Sequence, residues 1–552
     1  MKIYKLALFG AAVFSLASCS DEPHGVSTKH PVGTEKPGEP DVNPDDDVKS
    51  PTANFQLTTQ KVTVNTSKTY QEMEGFGASD CWLPNQIGQY WTSNRNEIAQ
   101  LLFSQNISAA GQPNGIGLSM WRVNLGAGSA EQGDDSNIAA NNRAQSYCFT
   151  GTYDWTSCAG QRYFMEQAKN LGCENFVLFS NSPLVGYTLN GMGYSGNGAH
   201  GNLKEECYSS YAEYMAEVAK HFMDAGYNIS HISPVNEPQY DWGVSGDGEA
   251  SQEGSGWQNE EVAKLARELD KSLTSRGLST GIMINESGHW VCLYEGNSAR
   301  ENCISAFFDP SSKAYVGDLE HIGNLICAHS YWTEGTWSGM RDVRAKAKAA
   351  ADAKNLKLYQ TEWSMLGDAP ADLEGGYDGA TEFDIAQYMS RVIHNDITVA
   401  GCSSWSYWTA MSVERWSQKN RFELIKTTPV GGNYSDDFQN GGTVEANPNL
   451  WVLGNYSLFV RPGYKRVDLN LNESMDFFGS AYIAPDNSKL VIVLTNYDKE
   501  KGVSVDMARP EGAKAVFTYT TTANKNLKQE RFNLNDQVFI DPASVTTIVY
   551  HL

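Results

Sequence analysis

The strongest constraint on the fold is an alternation of short β-rich runs with amphipathic stretches that begins near Gly75. Eight candidate strands can be marked: Glu72–Ala78, Gly117–Asn124, Asn175–Asn181, Ile229–Val235, Gly281–Asn285, Leu325–Ser330, Lys357–Thr361 and Gly401–Tyr407. Between them, Tyr208–Ala225 places Tyr211, Tyr214, Met215, Val218 and Phe222 at helical spacing, and Glu260–Arg276 does the same with Val262, Leu265, Ala266, Leu269 and Leu273. Eight strands with intervening helices is the count of a (β/α)8 TIM barrel, an α/β architecture whose active sites open at the carboxyl ends of the strands.

The ends of the chain do not follow this alternation. Phe55–Val64 reads as a strand ahead of the barrel, and the segment from Tyr456 supplies more, among them Leu490–Thr495, Ala515–Thr520 and Val545–Tyr550. The expected architecture is therefore a TIM barrel over 72–455 with an attached side β sandwich, built from an N-terminal strand (53–71) and a C-terminal block (456–552). Lys426–Asn449, rich in Gly, Asn and Asp, reads as a long loop after strand eight and an expected wall of the cleft.

Met1–Ser18 carries Lys2 and Lys5 ahead of an apolar stretch, Leu6–Leu16, too short to span a bilayer, and reads as a secretory signal. Leu16-Ala-Ser-Cys19 resembles a bacterial lipobox, which implies lipid attachment at Cys19. The Ser20-Asp-Glu-Pro23 that follows resembles the surface-export signal of Bacteroidetes lipoproteins. Residues 19–52, rich in Pro, Gly, Asp and Glu, cannot bury enough apolar surface to offset ordering and read as a tether. The expectation is an exported, outer-membrane or surface monomer whose only membrane contact is that lipid.

Charge and cysteine usage narrow the chemistry. A formal net charge of −23 repels phosphate backbones, so nucleic acid is not an expected partner. Export permits disulfides, and short spacing in polar stretches makes Cys148 with Cys158 and Cys292 with Cys303 the expected pairs, although spacing alone leaves connectivity open. No Cys-x-x-Cys or His-Glu-x-x-His occurs, so no metal is expected. Gly191-Met-Gly-Tyr-Ser-Gly196 satisfies a dinucleotide fingerprint formally but starts well past its strand, and no cofactor is expected.

Chemistry should then lie at the strand ends. Ile232-Ser-Pro-Val-Asn-Glu-Pro238 ends strand four in a carboxylate held between an amide and a proline, and Pro238 biases Glu237 away from the right-handed helical region. Strand seven ends in Thr361-Glu-Trp363. Taken singly, Asn-Glu-Pro is also a turn former, and Glu362 could be a salt-bridged strand end. Together, Glu237 and Glu362 are a carboxylate pair suited to acid/base and nucleophilic work at one glycosidic bond. Shielding among aromatics should keep the Glu237 proton toward neutral pH. Arg122 is placed to orient Glu362, and His329 and Tyr331 alternate on strand six so that both can face inward. Asn181 ends strand three, and Trp82 follows strand one. Trp405 and Trp408 cannot share one face of a regular strand, and Trp405 is the expected sugar platform.

Several of these stretches, Gly75-Phe-Gly-Ala-Ser79, Arg122-Val-Asn-Leu-Gly-Ala-Gly128, Ser180-Asn-Ser-Pro183, Pro234-Val-Asn-Glu-Pro238, Gln360-Thr-Glu-Trp363 and Leu453-Gly-Asn-Tyr-Ser-Leu-Phe-Val-Arg-Pro-Gly463, resemble glycoside hydrolase family 30 from about Val62 to the end. The resemblance implies a retaining endo-acting hydrolase of poly- or oligosaccharides, with Glu237 as acid/base, Glu362 as nucleophile and Asn236 donating to a sugar 2-hydroxyl. Gly77-Ala-Ser-Asp-Cys-Trp82 and Phe179-Ser-Asn-Ser-Pro183 look most like the endo-β-1,6-galactanase branch. The chain departs from that branch at Leu184-Val-Gly-Tyr187, where a proline and an aromatic are usual. Xylan and β-1,6-glucan stay open as substrates, as does a non-catalytic glycan-binding lipoprotein.

Overall fold

The computed structural model describes residues 48–552 apart from Asn197 and Asp247. The expected signal segment, the lipid site at Cys19 and most of the tether lie outside the described residues.

Eight parallel strands form one sheet: β1 (Gly75–Ser79), β2 (Met120–Asn124), β3 (Asn175–Phe179), β4 (Ile229–Ser233), β5 (Gly281–Ile282), β6 (Leu325–Ala328), β7 (Lys357–Gln360) and β8 (Ser404–Tyr407). β8 pairs with β1, and the seam between β5 and β6 is closed by a parallel bridge from Ser287 to Ala328 and by the Cys327 amide donating to the Ile284 carbonyl at 3.0 Å. The barrel predicted from eight runs is the barrel observed. Every residue of β1 and β2 is buried, as expected of parallel strands covered on both faces. The coating helices follow their apolar periodicity. Tyr208–Asp224 buries Tyr211, Met215, Val218 and Phe222, and Asn259–Arg276 opens with a Gln258/Glu261 capping box and stops at Gly277, whose φ of 64° suits a left-handed helix end.

The side sandwich takes its strands from both ends of the chain. Its larger sheet is seven-stranded, with Thr63–Glu72 at one edge paired antiparallel to Lys465–Asn470; the rest come from residues 477–551. A smaller sheet sets Gln56–Lys61 parallel to Lys501–Asp506, and Val62, Val467, Ile492, Leu494, Val503, Ile540 and Ile548 pack in one core with it. The single strand expected over 55–64 is thus two strands that part at Val62 and enter different sheets. The helix Pro448–Ser457, buried from Asn449 onward, joins sandwich to barrel, with Asn455 Nδ2 donating to the Tyr519 carbonyl at 2.9 Å.

Two expectations need correction. Lys426–Asn449 is not an irregular loop, because Ile425–Pro429 and Gly442–Ala446 form a hairpin whose first strand also pairs with Met411–Ser412. Neither expected disulfide forms, and all nine cysteines of the described residues are free thiols. The thiols have other neighbours: Cys303 Sγ sits among Asn285, Ser287 and the Arg300 carbonyl, Cys292 Sγ against the His289 ring, and Cys158 Sγ 3.6 Å from the Gln145 carbonyl.

Candidate active site

The strand ends converge as the barrel rule requires. Glu237 follows β4 with a φ of 43°, and Glu286, just past β5, has a φ of 50°. Pro238 does exclude the right-handed helical region, but the backbone takes the left-handed alternative, not the extended one. Such conformations are costly for non-glycine residues and gather at functional sites. The Glu237 amide donates to the Glu286 carbonyl at 2.9 Å, and Trp242 Nε1 donates to the Glu237 carbonyl at 3.1 Å, so the turn is held from both sides. Glu362 follows β7, where its carbonyl accepts from the Ser330 amide at 3.0 Å.

His329 joins the three carboxylates. Its Nδ1 lies 2.9 Å from Glu237 Oε1 and 3.5 Å from Glu362 Oε2, while Nε2 lies 3.1 Å from Glu286 Oε2. Arg122, fully buried on β2, donates from Nη1 to Glu362 Oε1 at 2.8 Å and reaches Glu286 Oε1 with Nη2 at 3.3 Å; its guanidinium covers the Phe179 ring. The Tyr331 hydroxyl donates to Glu362 Oε2 at 3.2 Å. Glu286 also accepts from the Ser233 hydroxyl at 2.5 Å and from the Thr361 hydroxyl.

These contacts set different protonation states. Burial drives the Glu237 pKa up, and although the His329 imidazolium pulls it down, the net shift is upward. Burial also opposes ionisation of Glu286, but Arg122 and His329 outweigh it and hold that carboxyl at about 2. For His329 burial favours the neutral ring, yet Glu362, Glu237 and Glu286 together raise it to about 10. Three acidic groups thus share two basic ones, Arg122 and His329. Glu237, His329 and Glu362 are also the one set of acidic and imidazole groups among the described residues close enough to share a cation, with donor atoms within 4.8 Å of one another. That place is already filled electrostatically, since His329 is itself a cation here and Arg122 neutralises Glu362. A carboxyl whose pKa is raised by burial, beside a second carboxyl paired with Arg122, is equipped for proton transfer on one side of a bond and for nucleophilic attack on the other.

Of the remaining predicted residues, Asn236 and Asn181 are buried at the mouth, each with an Oδ1 that has no hydrogen-bond partner, and Asn181 Nδ2 lies 3.5 Å from Asn124 Oδ1. Trp82 is partly exposed. The expectation for Trp405 is overturned: it is fully buried, with Nε1 donating to Asp396 Oδ2 at 2.9 Å in the helix layer. On β8 the inward positions are Ser404 and Ser406, whose hydroxyls face Met120, so Trp405 points outward. The aromatic that meets Trp82 is Trp408, edge to face at 5.3 Å, beside a cleft of about 300 Å³. In the altered 184–187 segment Leu184 and Val185 are buried, and Gly186 faces open space. Glu286 escaped sequence reasoning. Its signal was available, an acidic residue directly after Met283-Ile-Asn285 in the strand-five run, the same pattern that identified Glu237.

Comparison with known proteins agrees with this geometry. Residues 59–420 match the model of O-glycosyl hydrolase family 30. An endo-β-1,6-galactanase of Hypocrea rufa is 24% identical over 472 residues, covering 82% of this chain and 84% of its own. Among solved structures, a conserved exported protein from Bacteroides fragilis superposes with a TM-score of 0.81 at 29% identity, covering 88% of this chain and 99% of its own. The catalytic domain of a family 30 xylanase C from Talaromyces cellulolyticus gives 0.62 at 20% identity, covering 89% and 100%. With a family model spanning most of an eight-stranded barrel whose mouth holds the paired carboxylates, the chain belongs to glycoside hydrolase family 30.

Proposed function

We propose that the protein is a retaining, endo-acting hydrolase of β-1,6-linked galactan, such as the side chains of arabinogalactan. Glu237 protonates the leaving oxygen, Glu362 attacks the anomeric carbon, and Glu237 then activates the water that releases the sugar. The observation that carries the retaining reading is the separation of the two carboxyl groups, whose nearest oxygens lie within 4.8 Å. An inverting pair needs about 6.5–9.5 Å to admit a water, whereas a retaining pair sits at about 5–5.5 Å. In this reading Arg122 and Tyr331 orient the nucleophile, and His329, held by Glu286, positions both carboxylates. Asn236 and Asn181 offer buried polar atoms to sugar hydroxyls, and Trp82 and Trp408 offer ring faces. The formal net charge of −23 favours an uncharged glycan over an anionic one.

The substrate rests on the galactanase relative and on the likeness of Gly77–Trp82 and Phe179–Pro183 to the galactanase branch. Export and anchoring through a lipid on Cys19 belong to the same reading, supported by the lipobox-like Leu16–Cys19 and by the exported relative. The test compares kcat/KM on de-arabinosylated β-1,6-galactan, glucuronoxylan and β-1,6-glucan of matched length. Galactan is expected to lead by at least about tenfold, roughly 1.4 kcal/mol in transition-state binding. Equal or better turnover of either competitor rejects the galactan assignment, and reducing-end release from none of the three rejects the catalytic reading of this site on these glycans.

A further inference from the structure

Beside the catalytic centre the loops after β6 and β7 enclose a second hollow of about 540 Å³, bounded by Glu334, Thr336, Val343, Asp368 and Ala369 with Trp332 at its rim. That volume lies in the ~300–1,000 Å³ range of small-molecule sites. Its most informative residue is Glu334. The side chain is buried at 4% exposure and lies toward the indole Nε1 of Trp363, which lowers its pKa, but neither Oε2 nor that Nε1 makes a hydrogen bond of full geometry. Burial raises its pKa to about 7 against the pull of its own amide and of Arg344. A buried carboxyl oxygen with no well-formed hydrogen bond is costly unless something else supplies one.

The surroundings are built, not incidental. Arg344 Nη1 donates to the Thr333 carbonyl at 2.7 Å and to its hydroxyl at 2.9 Å, and the Tyr388 hydroxyl donates to the Glu334 carbonyl at 2.8 Å, which ties this loop to the helix layer. Trp332 is 49% exposed with a φ of 56°, packed against Tyr240 and against Tyr331, the residue that donates to Glu362. Its indole lies across Gly367, where a Cβ would meet Trp332 Cδ1 at 2.7 Å. The hollow therefore continues from the nucleophile's own contacts. No lysine or arginine lines it, and its two acids, Glu334 and Asp368, repel a uronate, sulfate or phosphate.

We infer that this hollow is a glycan subsite that receives a neutral glycosyl unit other than the one attacked, stacked on Trp332 with its hydroxyls hydrogen-bonded to Glu334. The inference rests on the reading of the protein as a glycan hydrolase. The unit is either the next residue of the chain or a branch upon it, and the two sources separate experimentally.

The test uses Ala369→Phe, which fills the hollow, and Glu334→Leu, which removes the hydrogen-bonding carboxyl. Both are assayed on an aryl glycoside confined to the reacting centre, on linear β-1,6-galacto-oligosaccharides of increasing length, and on the same backbones bearing one neutral branch. Both variants are expected to lose about tenfold or more in kcat/KM on the longer or the branched series, while the aryl glycoside changes by less than about twofold. Loss confined to the branched series assigns the hollow to a branch, and loss that grows with linear length assigns it to the chain. A parallel loss on every substrate, or no loss on any, overturns the subsite. Should Glu334→Leu fail to fold, Ala369→Phe decides alone. Binding of the same oligosaccharides to Glu362→Gln protein by calorimetry needs no turnover and keeps the two readings distinguishable. If the filled variant in that background binds as tightly as its parent, the subsite is wrong even where hydrolysis is right; if galacto-oligosaccharides are neither bound nor cleaved, the substrate reading falls and the subsite falls with it for this glycan class.

Discussion

Two fully buried ionic clusters lie in this barrel, and they are wired differently. In the helix layer Asp396 takes Arg344 Nε on Oδ1 at 2.8 Å, and the Ser330 hydroxyl and Trp405 Nε1 on Oδ2 at 2.8 and 2.9 Å, so both oxygens are satisfied. At the barrel mouth three carboxylates share Arg122 and His329, two of the acidic residues have left-handed backbones, and the neighbouring Asn236 and Asn181 keep unpartnered oxygens. The first satisfies both carboxylate oxygens from within the protein and leaves only Arg344 Nη2 without a partner. The second has one carboxyl whose pKa burial pushes up, and it leaves polar atoms for something else to satisfy. Neither buried charge nor an unpartnered arginine nitrogen marks an active site by itself; three acidic groups crowded on one imidazole at the carboxyl ends of the strands do.

Removing one partner from each cluster should therefore have opposite consequences. The largest effect is on turnover: Glu362→Gln or Glu237→Gln should lower kcat by about 10⁴-fold or more with the fold kept, as read by steady-state assay and circular dichroism. Glu237→Gln should also melt no lower than wild type at pH 7. The native fold raises that carboxyl's pKa, so its ionisation costs stability at neutral pH and the amide removes the cost. A lower melting point with normal activity would erase the distinction between the clusters.

In the helix layer Arg344→Met should cost about 3–5 kcal/mol of stability in denaturant titration, because Asp396 is left buried and uncompensated. Loss of activity under conditions where this variant stays folded would show that the pair serves the mouth as well.

A smaller effect separates the clusters by pH. Since the folded His329 pKa is raised to about 10, its stabilising contribution is fully present below the unfolded value near 6.5 and is lost as the pH rises toward about 10. Wild type should lose melting temperature across that window, and His329→Gln should lose less over the same range. Equal slopes would mean that the ring is neutral in the native protein.

The smallest expected change concerns the rim, where Trp408→Ala should raise KM by about tenfold with kcat nearly unchanged. The same result from Trp405→Ala, a residue with no open face, would contradict the placement of the two rings.

Much of this contrast was legible in the sequence, but unevenly. Glu237 and Glu362 could be found because each closes a recognisable β run, and Arg122, His329 and Tyr331 because alternation along a strand allows them inward. Glu286 directly follows the run Gly281–Asn285 and could have been found in the same way, but a pair of acids already accounted for the chemistry, and nothing in the sequence shows that a third turns onto His329. Trp405 and Trp408 were separable by parity, but parity has no absolute origin until a neighbour is known; Met120 on β2 supplies it. The hairpin at 425–446 was hidden by its Gly- and Asn-rich connection, and the free thiols by the fact that sequence spacing carries no information on where side chains point.

The central claim is that Glu237 and Glu362 act on one bond by double displacement. Proton NMR of the sugar first released from a β-1,6-galacto-oligosaccharide, recorded before mutarotation, tests it most directly. The account predicts that the β-anomer appears first and the α-anomer only later, whereas an α-anomer formed first would show single displacement and contradict the assigned roles of both carboxylates.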